Sequence, residues 1–244
     1  MSAPVIRTLL IEDNPGDVGL VHAYLAEERD VRVELTHAHR LHEGLELLNH
    51  TRMDVVLLDF NLPDNAGLNT LRQVMGHHPE LPVVVLTRSE AIQQALLAVR
   101  EGAADYLVKN QISGPLLVRA IRFAVERAAR RRATAKIKDA EVRYRTLFEQ
   151  SPDGIAVYDL ETCLPVEFNN TVCDQLGYSR EEFAELRMCE YFSGQVGESL
   201  KDAPLCAGQL LEEGIHRREF LHRMKTGQVR HIVVLAQPVA LLGQ

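Results

Sequence analysis

A doubly wound parallel α/β sheet is the fold class predicted for the first half of this 244-residue chain, and three observations predict it. The short apolar runs Leu9-Leu10-Ile11, Val55-Val56-Leu57-Leu58, Val83-Val84-Val85-Leu86 and Tyr106-Leu107-Val108 have strand length and no polar alternation, the pattern of strands covered on both faces. Helix-period apolar spacing fills the intervals between them. Each run also ends on a chemically capable side chain: Glu12 and Asp13, Asp59, Thr87, and Lys109. In an open α/β sheet the reactive crevice lies at the carboxyl ends of the strands. Three acids, a hydroxyl and an amine are therefore expected around one crevice.

The elements follow in order. A strand at Thr8–Glu12 enters the turn Asn14-Pro15-Gly16-Asp17, and a helix with Val18, Val21 and Leu25 on one face begins there. A strand at Val31–Ala38 precedes a helix marked by Leu41, Leu45 and Leu48. Asp59 is followed by the loop Asn61-Leu62-Pro63-Asp64 and a helix bearing Leu68, Leu71 and Met75. After Thr87 comes a helix with Ile92, Leu96 and Val99, stopped at Gly102. After Lys109 a helix starts near Pro115 and carries Leu117, Ile121, Ala124 and Ala128. Five βα units imply a five-stranded parallel sheet with helices on both faces.

No Gly or Pro interrupts the chain from Ile121 to Phe148, so the last helix is expected to run on as a long connector. Arg127, Arg130, Arg131, Arg132, Lys136 and Lys138 make its middle basic. Ile121, Ala128, Ala135 and Val142 fall seven apart, but Arg131 and Lys138 sit at the companion positions, so a coiled-coil seam is weakly specified there. The basic run reads as a solvated helix face.

Beyond residue 150 the pattern changes. Ser151-Pro152-Asp153-Gly154 is a turn, strands are expected at Ile155–Leu160 and Val166–Phe168, and helical segments over roughly 170–213. Arg218–Met224 and Gln228–Gln237 flank Lys225-Thr226-Gly227 as a hairpin. This is an α+β pattern with an antiparallel sheet.

Composition excludes several classes. Hydrophobic residues at 46% and charged residues at 25% are those of a globular protein, and a net charge of −7 argues against a general nucleic-acid binder. No apolar run reaches the roughly 20 residues of a membrane span. The run at Leu9 is broken at once by Glu12 and Asp13, unlike a signal peptide. Cys163, Cys173, Cys189 and Cys206 are widely spaced and read as reduced thiols, which suits a cytoplasmic location. His37, His39 and His42 lack a tetrahedral ligand set and read as surface histidines.

The crevice residues suit phosphoryl transfer. A carboxylate such as Asp59 can accept a phosphoryl group as an aspartyl phosphate. The barrier is largely electrostatic, and Mg²⁺ lowers it by bridging phosphate oxygens and one or two carboxylates. Glu12 and Asp13 supply those acids, with Asp59 as a third. Lys109 offers a positive charge to one phosphate oxygen and Thr87 a hydrogen bond to another.

The stretches LLIEDNPGD (9–17), VVLLDFNLPDNAG (55–67), VVVLT (83–87) and GAADYLVK (102–109) resemble a two-component response-regulator receiver domain, a flavodoxin-like fold. The resemblance implies that Asp59 accepts phosphate from a histidine kinase or phosphotransfer protein. It implies Mg²⁺ bound by Glu12, Asp13, Asp59 and the backbone carbonyl of Asn61, and a switch formed by Thr87 and Tyr106. Two positions depart from the family: Asn110 stands where Pro is usual after the Lys, and Arg88 where a small residue is usual. The loop at Lys109 is expected to differ, and Arg88 to affect phosphorylation lifetime or partner choice.

YRTLFEQSPDGIAVYD (144–159), FNNTVCDQLGYSREEF (168–183) and KTGQVRHIVV (225–234) resemble a PAS domain. Leu164-Pro165 replaces the usual Gly-containing turn, and the chain stops at Gln244 where a final strand would follow. No cysteine lies in a flavin-reactive motif, and His216 and His222, on or beside a strand, read as structural rather than as haem ligands. The PAS ligand stays unassigned.

The resulting organisation is a receiver over 1–128, a helical linker over 129–143 and a PAS domain over 144–244, lacking its last strand, in a fragment of a larger signalling protein. The expected function is phosphorelay signalling through Asp59, the linker and the PAS domain, in a cytoplasmic homodimer with no membrane or nucleic-acid partner. No dedicated catalytic domain is visible. Two alternatives stand: an N-terminal piece of a histidine kinase or cyclic-di-GMP enzyme, and a ligand-sensing PAS scaffold whose receiver works without phosphorylation.

Overall fold

The computed structural model describes residues 5–28, 31–88, 92–159, 161–195 and 216–237, with the side chains of Cys189, 193–195 and 216–218 left aside. The chain divides into two compact units, Met1–Ile137 and Lys138–Gln244, and the division falls inside one helix.

In the first unit, β1 (Val5–Ile11), α1 (Pro15–Glu27), β2 (Arg32–Ala38), α2 (Leu41–His50), β3 (Val55–Asp59), α3 (Leu68–His77), β4 (Val83–Thr87), α4 (Ile92–Arg100), β5 (Asp105–Val108) and the start of α5 (Gly114–Glu149) alternate as expected. The sheet order is β2-β1-β3-β4-β5, and every pair is parallel. β3 and β4 are buried at all five positions, which is why they read as unbroken apolar runs. Alternate residues feed two cores. Leu9, Ile11, Val56, Leu58, Val83 and Val85 pack with residues of α2, α3 and α4. Leu10, Val55, Leu57, Val84, Leu86 and Leu107 pack with Val21 of α1 and with Leu117, Ile121 and Ala124 of α5.

One helix face differs from its expected assignment. In α4 the buried residues are Ala95 and Ala98, while Leu96 and Val99 are exposed. Small residues let that helix approach the sheet closely, and the larger apolar side chains are left outward.

The second unit holds two antiparallel sheets, β6 (Ala156–Tyr158) with β7 (Pro165–Phe168), and β10 (Val229–Ala236) with β9 (His216–Arg223) and β8 (Phe192–Gln195). The helices α6 (Asn170–Leu176), α7 (Arg180–Ala184) and α8 (Met188–Tyr191) lie between β7 and β8 in sequence. Residues 192–195, expected within a helical segment, instead form a strand: β8 pairs with β9 through Phe192 and Gln195. A four-residue strand whose pairing partner lies over twenty residues onward leaves no local periodicity to detect. The rest of the expected helical segment, 196–213, and the last residues, 238–244, where a missing final strand was expected, lie outside the described residues.

Local chemistry sets the boundaries in this unit. Asn169 caps α6, Gly177 closes it at φ +81°, and Ser179 with Glu182 forms a reciprocal capping box on α7. Phe168, Val172, Cys173, Leu176, Phe183 and Tyr191 form the core.

Candidate functional site

The sheet order reverses direction between β1 and β3, and there the connections leave to opposite faces, opening a crevice at the strand ends. Glu12 and Asp13 follow β1 and Asp59 ends β3, so the three acids flank that point. Their ligand oxygens all lie within 4.8 Å of one another. Glu12 and Asp59 are buried and Asp13 is exposed, which leaves the group open on one side.

Backbone contacts hold these acids in place. The Glu12 amide donates to the Ala38 carbonyl at 3.0 Å, and a His37 ring nitrogen lies 2.8 Å from the Glu12 carbonyl oxygen. His37 is thus partly buried and tied to the site, where the sequence suggested a surface residue. The Asn14 amide donates to Glu12 Oε1 at 3.2 Å, and the Asn61 amide donates to Asp59 Oδ1 at 3.2 Å.

Lys109 reaches the acids from the end of β5. Its Nζ lies 2.7 Å from Glu12 Oε2 and 3.0 Å from Asp59 Oδ2. A third carboxylate, Asp17 in the first turn of α1, accepts a hydrogen bond from the same Nζ at 2.7 Å. Sequence reasoning assigned Asp17 only to a helix start. Its partner is 92 residues away, and the available signal was the neighbouring Asn14-Pro15-Gly16, which starts α1 beside the strand ends. Burial pushes the Glu12 carboxyl up to about 7, with the Asp59 charge adding and Lys109 opposing. Burial alone would lower the Lys109 ammonium, but its contacts with Asp17, Glu12 and Asp59 outweigh that and raise it. A small cleft beside Lys109 is lined by Glu12, Asp17, Tyr24, Leu86 and Ile112.

Thr87 is fully buried at the end of β4, and its hydroxyl donates to the Arg88 carbonyl at 3.3 Å rather than to Asp59. Tyr106 is half-buried and packs against the core shared with α2, α3 and α4. Arg88 is exposed. Lys109–Gln111 forms a short 3₁₀ turn, so the segment with Asn110 in place of Pro is ordered and holds Lys109 beside its acids.

In the second unit the polar groups cluster in the aromatic core. The hydroxyls of Tyr158 and Tyr191 are hydrogen-bonded to each other. Burial pushes Tyr158 up to about 12 and Tyr191 well above the usual range. His222 is packed edge-on against Tyr191 and Phe192, with ring centroids at 5.0 and 4.4 Å. Its Nε2 is buried without a hydrogen-bond partner among the described residues. His216 lies on β9, its side chain outside the described residues.

No helix among the described residues is long and apolar enough to cross a membrane. Residues 8–122 match the response regulator receiver domain family and residues 142–209 match a PAS domain family. The luminescence regulatory protein LuxO of Vibrio campbellii is 31% identical over 100 residues, 41% of this chain and 21% of LuxO. The response regulator protein PilR of Pseudomonas aeruginosa is 29% identical over 146 residues, 60% of this chain and 31% of PilR. The chain therefore spans about a fifth to a third of the length of these curated relatives. A solved response regulator receiver domain protein from Clostridium thermocellum is 28% identical and aligns with 50% of this chain and 95% of its own, at a TM-score of 0.45. The acidic group of Glu12, Asp13 and Asp59 corresponds to the acidic pocket at which receiver domains bind Mg²⁺. The chain carries a response regulator receiver domain followed by a PAS domain.

Proposed function

We propose that this protein works in two-component signalling and that Asp59 accepts a phosphoryl group from a histidine kinase or phosphotransfer protein. The observation that carries this reading is the convergence of Glu12, Asp13 and Asp59 with Lys109 at the switch point of the sheet. An Asp59 oxygen attacks phosphorus, the P–N bond to the donor histidine breaks, and the imidazole leaves with the bonding pair. Lys109 neutralises a phosphoryl oxygen, and the Thr87 hydroxyl turns from the Arg88 carbonyl to another. The carboxylates of Glu12, Asp13 and Asp59 and the carbonyl of Asn61 are a hard oxygen set that fits Mg²⁺, which when bound supplies charge neutralisation between donor and acceptor. Movement of Thr87 lets Tyr106 pack inward and remodels the surface formed by α4, β5 and α5.

The signal then passes along α5 to the PAS domain and an output, in a cytoplasmic homodimer joined through that helix. Ala133, Ile137, Ala140, Tyr144 and Leu147 are all exposed and fall at alternating spacings of four and three, a heptad seam. In a parallel pair Lys136 at a g position faces the partner's e position, which Glu141 occupies.

Intact-protein mass after incubation with Mg²⁺ and acetyl phosphate tests the phosphoacceptor. A phosphoryl-sized gain in the native chain, lost in Asp59→Asn, is expected. A folded protein with no gain favours a ligand-sensing scaffold or a receiver that takes its phosphoryl group only from its kinase.

A further inference from the structure

We propose that Asp17 is a positioning residue that holds the Lys109 ammonium away from the phosphoryl site and competes with the phosphoryl oxygens for it. This rests on the phosphoacceptor reading above.

An ammonium has three protons to donate. Lys109 Nζ has three carboxylates around it: Asp17 and Glu12 at 2.7 Å and Asp59 at 3.0 Å. An incoming phosphoryl oxygen has to share the ammonium with them, and the contact to Asp17 is a hydrogen bond while Glu12 Oε2 has no hydrogen-bond partner among the described residues. Burial decides which one yields. The side chains of Glu12 and Asp59 are 1% and 4% exposed, and a buried carboxylate deprived of its cation has no water to turn to. Asp17 is 25% exposed, so water replaces the lost contact. It also sits in the first turn of α1, where the helix N-terminus stabilises a carboxylate that has lost its cation.

The geometry is that of a restraint on the lysine. The Asp17 contact is a well-formed hydrogen bond, and it spans from the first turn of α1 to the end of β5. Until it breaks, Lys109 is shared between α1 and the acids of the crevice. Asp17 thereby makes the phosphorylated state less favourable than a receiver with an unencumbered lysine would find it.

The test is the rate of phosphorylation of the full chain by acetyl phosphate with Mg²⁺, compared between the native protein and Asp17→Asn at low and high salt. A partly buried ion pair of this kind corresponds to a rate gain of roughly twofold to fivefold in the variant. Loss of a negative charge would by itself ease the approach of an anionic donor, but that long-range effect is screened at high ionic strength. A gain that persists in high salt supports the competition. A gain that vanishes in high salt, an unchanged rate, or a slower rate overturns it. Folding of the variant is checked by its thermal transition, and Asp17→Glu, which keeps the carboxylate, is expected to stay near the native rate. If the native protein itself gains no phosphoryl mass, the phosphoacceptor reading fails instead.

Discussion

His222 brings an imidazole into an aromatic interior with no partner for its Nε2 among the described residues, and the consequence is a pH-dependent stability of the second unit. Burial lowers its pKa from 6.5 to about 4. Between those values the unfolded chain binds a proton that the folded chain refuses, so stability falls as pH drops from about 6.5 to 4 and levels off below. The interval is equivalent to at most about 3 kcal/mol. In His222→Phe the thermal transition of this unit is expected to lose most of that dependence; an undiminished slope would place its origin elsewhere. At this scale the sequence was informative where a side chain ends a buried strand. Glu12, Asp13, Asp59 and Lys109 stand out because each interrupts an apolar run at the point where the chain leaves the sheet. Asp17 and His37 do not, because their partners are reached only through the parallel pairing of strands and the docking of α1.

Among elements, Asn169 shows how one side chain can organise several. Its Nδ2 donates to the Phe148 carbonyl at 3.0 Å and to the Asp153 carbonyl at 2.9 Å. Its Oδ1 accepts from the Ile155 amide at 2.9 Å and the Val172 amide at 3.1 Å. The amide is fully buried and satisfied, joining the last turn of α5, the turn before β6 and the start of α6. Asn169→Ala strands four backbone groups, and a loss of about 2–4 kcal/mol is expected in the unfolding of this unit. A loss below about 1 kcal/mol would show that water replaces these bonds. Periodicity located α1, α2, α3 and the start of α5 because their buried faces carry large apolar residues. It misplaced the face of α4, where alanines are buried, and missed β8, whose pairing is entirely non-local.

For the whole molecule, the proposed pairing of copies through α5 makes its own prediction. The sevenfold spacing of Ile121, Ala128, Ala135 and Val142 specified a seam only weakly, and Ile121 and Ala128 are buried within the first unit. The set Ile137, Tyr144 and Leu147, with Ala133 and Ala140, is exposed along its whole length, Tyr144 also stacking on Phe148. Light scattering is expected to give a dimer at tens of micromolar for the native chain and a monomer for Ile137→Lys combined with Tyr144→Lys. A native monomer, or a dimer that survives both changes, would count against this seam.

Because Asn169 grips the Phe148 carbonyl, the end of α5 belongs structurally to the second unit, and Phe148 itself is buried. Any attempt to cut this protein into pieces meets that fact. A fragment beginning at residue 151, where the turn tempts the knife, discards both the carbonyl that Asn169 holds and a buried aromatic side chain. One beginning at Lys138 keeps them, and the two fragments should differ sharply in resistance to proteolysis.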